Sequence, residues 1–411
     1  MSNKLVKAIK NPRLVFKKIR SFFLDFRTNR YLRNSVHLKN DLHIVFICQC
    51  ESIFSKCENI FLELVNRHIK TTLYVVQDDN SSLPYKKKKF DNHQTIFERK
   101  YPDYVVKYED QKLKDIKPSL VVYTRPYDYY LPKEIRSYNV LKYSKTASMT
   151  YHYSLTDVYH FYHDIFKSSS IFIADREYAK HYFDNRRQKY VKKGLQKSIY
   201  AGFPGFDNIY QGNKESFFNQ GEKKFNVIWT PRWSIDAELG GSSFFDLYKD
   251  LFDLMINNDD YKFIFRPHPL LFSNFIKSKR LTKEEVDGII KRFKDSNNAL
   301  YDAGADYFTN FKKSDVLISD FSSIVPEYFL SGHPFIYFLK DNNYEILSSE
   351  LKKMVDCNYV ARNFEEVKEC LSLIREEDPK KEARAAYLKE FLKDNSNSPK
   401  RIVDALINEL S

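Results

Sequence analysis

From residue 42 onward, short unbroken apolar runs alternate with longer stretches of helical periodicity. The first set of runs is Leu42–Cys48, Thr71–Gln77, Ser119–Thr124, Ser170–Ala174 and Ser198–Gly202. The second is Asn226–Thr230, Tyr261–Phe265, Asp315–Ser319, Pro334–Phe338 and Asn358–Val360. Each is bounded by polar or turn residues, as expected of strands buried on both faces of a parallel sheet. Between them, Ser243–Met255 and Thr282–Phe293 carry helical spacing. Alternating β and α in two sets predicts two doubly wound, Rossmann-like α/β domains, 41–205 and 206–378, hinged near Gly202–Asn208. Ligands of such sheets bind outside the carboxyl ends of the strands, so the chemistry is expected there, facing a cleft. Two last helical patterns, Lys380–Lys393 and Pro399–Leu410, follow without further strand signal. Residues 379–411 are therefore expected to pack back across the domains.

Residues 1–40 read differently. Leu5, Ile9, Val15, Phe16, Ile19, Phe22, Phe23 and Phe26 recur at three- and four-residue steps with basic residues between them, interrupted near Pro12. This predicts an amphipathic helical segment. Charge sharpens the picture. The chain of 411 residues has a formal net charge of +13, and residues 1–40 hold eleven Lys/Arg against one acid, Asp25. The body is nearly neutral and the arm is basic. A basic face opposite a Phe/Leu/Ile face suits a helix lying on an anionic leaflet, where each cation contributes about 1 kcal/mol. The competing reading is an ordinary helix with a solvated basic side. Nucleic acid is not the expected partner, because no RRM, KH, zinc-finger or helix-turn-helix signature follows.

Composition removes other classes. No apolar run approaches the roughly 18–20 residues of a membrane span, and the basic start lacks a secretory apolar core. Five cysteines without a CxxC pair favour a reducing compartment. Ten glycines, with neither GxGxxG nor GxxxxGK[ST], disfavour a fingerprint dinucleotide enzyme and a P-loop NTPase. The expected location is cytoplasmic, peripheral on the inner face of the membrane.

Two segments carry candidate chemistry. In Phe263-Ile-Phe-Arg-Pro-His-Pro269 a strand delivers Arg266 and His268 to its carboxyl edge, and two prolines fix the tip. Arginine offers a fork for phosphate oxygens, and histidine a group titrating near neutrality. In Val316-Leu-Ile-Ser-Asp-Phe-Ser-Ser-Ile-Val-Pro-Glu327 a strand leads into a helix whose first turn holds Pro326. Ser322 and Ser323 then flank the helix start, an arrangement suited to anions, and Glu327 lies one turn in. Simple serine capping is the bland alternative. The acidic pairs Asp78–Asp79 and Asp259–Asp260 read as solvated loops, and His160 and His163 as helix-surface residues rather than zinc ligands together with His152.

Arg-Pro-His-Pro followed about fifty residues later by Ser-Asp-Phe-Ser-Ser-Ile-Val-Pro-Glu resembles the paired motifs of the CDP-glycerol glycerophosphotransferase family, which builds teichoic acids and capsular polymers. Ala201–Asn208, Trp229–Trp233, Phe364 and Asp394–Arg401 are similar to further family segments, so the resemblance spans roughly residues 140–405. It implies a GT-B-like fold, with donor bound by the second domain and acceptor by the first. Carried over by motif, the implied catalytic residues are His152 and His268. Arg266, Ser319, Asp320, Ser322, Ser323, Glu327 and Arg232 would hold the donor phosphates or nucleotide. His152 sits in Met149-Thr-Tyr-His-Tyr-Ser-Leu-Thr-Asp157, where Tyr151 and Tyr153 replace the family's Trp and Gly and its Lys is missing.

The implied reaction moves an alditol phosphate such as glycerol phosphate from a CDP-alditol to a hydroxyl of a lipid-linked or polymer acceptor, releasing CMP. His152 would serve as base, and no cofactor or metal is required. Two alternatives stay open: a GT-B glycosyltransferase using a nucleotide sugar, and a non-catalytic, membrane-attached binding protein.

Overall fold

The computed structural model describes residues 25–76, 87–157, 164–207, 224–237, 240–256, 258–304 and 307–411. Among them, two compact units separate. One holds 25–151, 164–201 and 399–411; the other holds 152–157 and the described part of 202–398.

The first unit is built on seven parallel strands: β1 His43–Cys48, β2 Lys70–Val75, β3 Val105–Lys107, β4 Leu120–Tyr123, β5 Lys145–Met149, β6 Ile171–Ala174 and β7 Lys197–Tyr200. Their order is β3-β2-β1-β4-β5-β6-β7. The second unit has six: β8 Phe225–Thr230, β9 Tyr261–Phe265, β10 Ala299–Tyr301, β11 Val316–Ser319, β12 Phe335–Phe338 and β13 Tyr359–Ala361. Their order is β10-β9-β8-β11-β12-β13. Both sheets grow outward in two directions from their first strand. The reversal falls between β1 and β4 in one and between β8 and β11 in the other, where doubly wound sheets bind ligands.

Alternate residues of each strand feed opposite faces. Ile44, Phe46 and Cys48 join one core of the first unit, while Val45 and Ile47 join another. All ten predicted strands form. Three others were not predicted, each for a physical reason. β5 (Lys-Thr-Ala-Ser-Met) is polar in composition, and its hydroxyls are buried by pairing: Thr146 Oγ1 donates to Ser168 O at 2.5 Å, and Ser169 Oγ to Ser148 Oγ at 2.7 Å. β3 and β10 are three-residue edge strands, only partly buried.

The predicted helix from Thr282 spans Lys283–Asp295, and Thr282 and Glu285 form a reciprocal capping box. The helix Lys381–Asn395 belongs to the second unit. The helix Ser398–Leu410 sends Ile402, Val403 and Leu406, all fully buried, into the first unit's core. Most of the basic arm lies outside the described residues. Its final part, 25–35, is helical and buries Thr28, Leu32 and Ser35, leaving Phe26, Arg27, Arg30 and Arg33 exposed.

Candidate active site

The carboxyl edge of the second sheet gathers most of the predicted residues. At its switch point Thr230 and Ser319 end adjacent strands. Thr230 Oγ1 donates to Ser319 Oγ at 2.9 Å, and Ser319 Oγ donates to Thr230 O at 3.0 Å. Ser319 is fully buried, so it ties β8 to β11 rather than facing a ligand.

Asp320 is also fully buried. Its Oδ1 accepts the Arg232 N–H at 2.8 Å, and its Oδ2 accepts the Ser243 N–H and hydroxyl, both at 2.7 Å. Burial raises its pKa, against the pull of those Ser243 and Arg232 hydrogen bonds. Three donors thus hold the carboxylate between the β8 loop and the start of the helix Phe244–Ile256. Expected to meet the donor, Asp320 instead shapes the loop that presents Arg232.

Arg232 is half-buried. Its Nη1 donates to Phe321 O at 2.7 Å, and its guanidinium sits 4.5 Å from the Phe321 ring centroid. Its Nε is sealed from solvent and bonded to nothing among the described residues. Burial lowers its pKa, with Asp320 acting the other way.

On the neighbouring strand, Arg266 is clamped. Nη1 donates to Asp302 Oδ2 at 2.6 Å and Nη2 to Gly304 O at 2.8 Å, and the guanidinium lies 4.9 Å from the Tyr307 ring. Asp302 follows β10, accepts the Gly304 N–H at 2.9 Å and is bonded by Asn310. The Tyr307 hydroxyl bonds Glu327, which is 3% exposed. Glu327, expected to help hold the donor, is buried and bonded by the Tyr307 hydroxyl that belongs to the ring stacked near Arg266.

His268 keeps solvent exposure. Its Nδ1 accepts the Leu270 N–H at 3.1 Å. The protein packed around the ring, and secondarily the Arg232 charge, lower its pKa to about 4. The imidazole is therefore neutral at pH 7. With Nδ1 accepting, its proton is on Nε2, so His268 offers an N–H donor rather than a cation.

Ser322 and Ser323 are half-buried ahead of a short helix, Ile324–Phe329. Ser323 makes no side-chain cap, and Ser322 Oγ only weakly accepts the Ile324 N–H at 3.5 Å. Their hydroxyls are not consumed by capping.

His152 arrives by another route, on the segment 152–157 that belongs to this same unit. That segment is anchored by Tyr153, 2% exposed, whose ring lies 6.0, 5.0 and 5.7 Å from those of Phe203, Phe206 and Phe391. The replacement of a glycine by Tyr153 is thus a packing anchor beside the histidine. Sequence reasoning missed Asp302, Tyr307, Asn310 and Ser243. The signal for Asp302, an acid at a strand end beside Arg266, was hidden with β10.

His160, His163 and Asp78–Asp79 lie outside the described residues. Asp259 and Asp260 are engaged by Asn298 and Arg375. No group of three His, Cys, Asp or Glu among the described residues is placed to hold a metal.

Residues 145–408 match the family model of CDP-glycerol:poly(glycerophosphate) glycerophosphotransferase. No curated protein matches the chain in sequence. Among solved structures, the wall teichoic acid polymerase TagF, as a variant soaked with CDPG, superposes with a TM-score of 0.56 at 13% identity, covering 98% of each chain. The UDP complex of MnaA from S. aureus gives 0.55 at 13% identity, over 90% of this chain and 96% of that one. UDP-GlcNAc 2-epimerase from Neisseria meningitidis, bound to UDP-GlcNAc, gives 0.51 at 16% identity, over 89% and 99%. The two parallel-sheet units are thus GT-B-like.

Proposed function

Because the chain belongs to the CDP-glycerol:poly(glycerophosphate) glycerophosphotransferase family, we propose that it transfers glycerol phosphate, or a related alditol phosphate, from a CDP-alditol to a hydroxyl of a membrane-associated polymer. CMP is the leaving group. The acceptor oxygen bonds the phosphorus that bears the alditol, the bridging P–O bond to CMP breaks, and CMP keeps that electron pair. The hydroxyl proton passes to a base, for which His152 is the candidate.

The observation that carries the reading is that Arg232, just after β8, and His268, just after β9, stand at the same carboxyl edge of adjacent strands. A diphosphate needs positive charge together with donors aimed at oxygens whose charge grows as the bond breaks. Arg232, with its unbonded Nε, supplies the charge. Nε2–H of His268 supplies a donor that needs no protonation, and the Ser322 and Ser323 hydroxyls add two more. Arg266, pinned by Asp302 and Tyr307, offers its remaining donors from a fixed position.

Attachment to an anionic membrane belongs to the same proposal. It is supported by the exposed face of helix 25–35, where Phe26, 66% exposed, stands among Arg27, Arg30 and Arg33.

The test is a donor screen that measures the nucleotide released. CMP from CDP-glycerol or CDP-ribitol is expected. UDP released from a UDP-sugar, with no CMP from any CDP-alditol, would overturn the proposal.

A further inference from the structure

The carboxyl edge of the first sheet has its own switch point, and the transfer chemistry above leaves its residues unused. β1 and β4 lie side by side there, with β5 next. Ile47 is paired with Tyr123, and Tyr123 with Ser148. Continuing that register by two residues sets Gln49, Arg125 and Thr150 in one row, on the same side of the sheet. All three are more than nine-tenths buried, at 6%, 8% and 7% exposure.

Buried polar groups are normally satisfied. Gln49 Nε2 and Thr150 Oγ1 are sealed from solvent and bonded to nothing among the described residues. Between them Arg125 places its guanidinium 5.5 Å from the Tyr127 ring centroid and 5.3 Å from that of Tyr130. Tyr129, 46% exposed, and Tyr151 complete a cluster, at 4.2 Å from Tyr130 and 6.3 Å from Tyr127 respectively. The acid that follows β6, Asp175, has a local arginine, Arg176, at 4.0 Å.

An amide N–H, a hydroxyl and a guanidinium in line are donors that converge on one kind of ligand, an oxyanion. Tyrosine rings beside it suit the C–H faces and hydroxyls of a polyol. We infer that the first unit binds a phosphate oxyanion on the Gln49–Arg125–Thr150 row beneath the tyrosine cluster. That this phosphate belongs to the acceptor polymer rests on the transferase reading; the oxyanion site itself does not.

The test is calorimetric binding of a synthetic glycerol phosphate trimer to the full chain with no donor present. Gln49→Glu, which sets a negative charge in the row, and Arg125→Met should each weaken the trimer by about tenfold or more. CDP-glycerol affinity should stay unchanged in both. Tyr129→Ala, at an exposed position, should weaken the trimer without disturbing the fold. Wild-type trimer affinity in Gln49→Glu and in folded Arg125→Met would overturn the site, as would no trimer binding by the wild type. Equal affinity for neutral triglycerol would refute the oxyanion. Inorganic phosphate binding as tightly as the trimer would refute the polymer as its source. Failure of the transferase reading would show separately, as a wild-type protein that binds the trimer yet releases no CMP.

Discussion

His268 shows how a single backbone hydrogen bond can decide a side chain's chemistry. Its Nδ1 is engaged by the Leu270 N–H and its pKa is lowered to about 4, so the ring works as a neutral Nε2–H donor. CDP-glycerol affinity should therefore be flat between pH 5.5 and 8 in a titration. A fall with a midpoint near the ordinary imidazole value of 6.5 would mean that the cation is the binding form. His268→Ala should lower turnover by roughly 10²–10³-fold, the usual cost of one lost transition-state donor. Gln at this position, which keeps an N–H, should recover part of that loss. Arg-Pro-His-Pro was legible because prolines and a strand end are local features. The tautomer was not, because it depends on where Leu270 N–H points. Asp302→Asn removes the charge partner of Arg266; charge-assisted bonds of this kind are worth about 1.5–3 kcal/mol. It should weaken the donor by about tenfold or more, with a smaller effect on turnover at saturation. Equal donor affinity in that variant would show that Arg266 needs no clamp.

At the scale of elements, the strands that were legible are apolar on both faces, since a buried parallel strand writes its burial into every residue. β5 escaped because its hydroxyls are buried by pairing with Ser168 and Ser169, and the edge strands because they are short and half-covered. The loop after β11 was legible as a strand–helix turn. Yet Ser319 and Asp320 within it serve the backbone, because their partners, Thr230 and Ser243, come from 89 and 77 residues away in sequence. Gly202 marks a second constraint that the sequence shows only as a glycine in a turn. Its φ is +86°, and a Cβ there would meet the Ser398 hydroxyl and the backbone of Asp394 and Asn395. Gly202→Ala should cost at least about 1–3 kcal/mol from the backbone conformation alone, read as a lowered denaturation midpoint. A midpoint equal to wild type would show that neither the positive φ nor the 395–398 backbone constrains this position.

For the whole molecule, the basic arm is now divided. Helix 25–35 buries Leu32, so removing it would damage the first unit. The sharper experiment deletes residues 1–24 and changes Arg27, Arg30 and Arg33 to Gln. That protein should lose flotation with anionic liposomes and keep CMP release with a soluble acceptor. Retained flotation would remove the membrane role. pH should also act on global stability. His43 is 4% exposed and bonded to Thr72 Oγ1 at 2.9 Å; burial, then Lys70, lower its pKa to about 4. Between 6.5 and 4 the unfolded chain binds the extra proton, so this contribution is complete above pH 6.5 and lost as pH falls toward 4. The denaturation midpoint should drop from pH 7.5 to pH 5, and His43→Gln should flatten the drop. A wild-type midpoint that is the same at both pH values would refute this.

The threading of the chain has a consequence for its birth. The strands of the first unit are translated before almost all of the second, but Ile402, Val403 and Leu406, which close its core, are made after the whole of the second unit. Chains generally fold domain by domain as they emerge, the earliest first. Here the half that is begun first must wait with an open apolar face until the helix Ser398–Leu410 has been made, while the later half already has all its parts. A ribosome stalled just before residue 402 would hold a finished second unit and an unfinished first one, and premature termination there would yield a sticky product. A quality check is thus written into the topology: only a chain that extends past residue 406 can cover its oldest core.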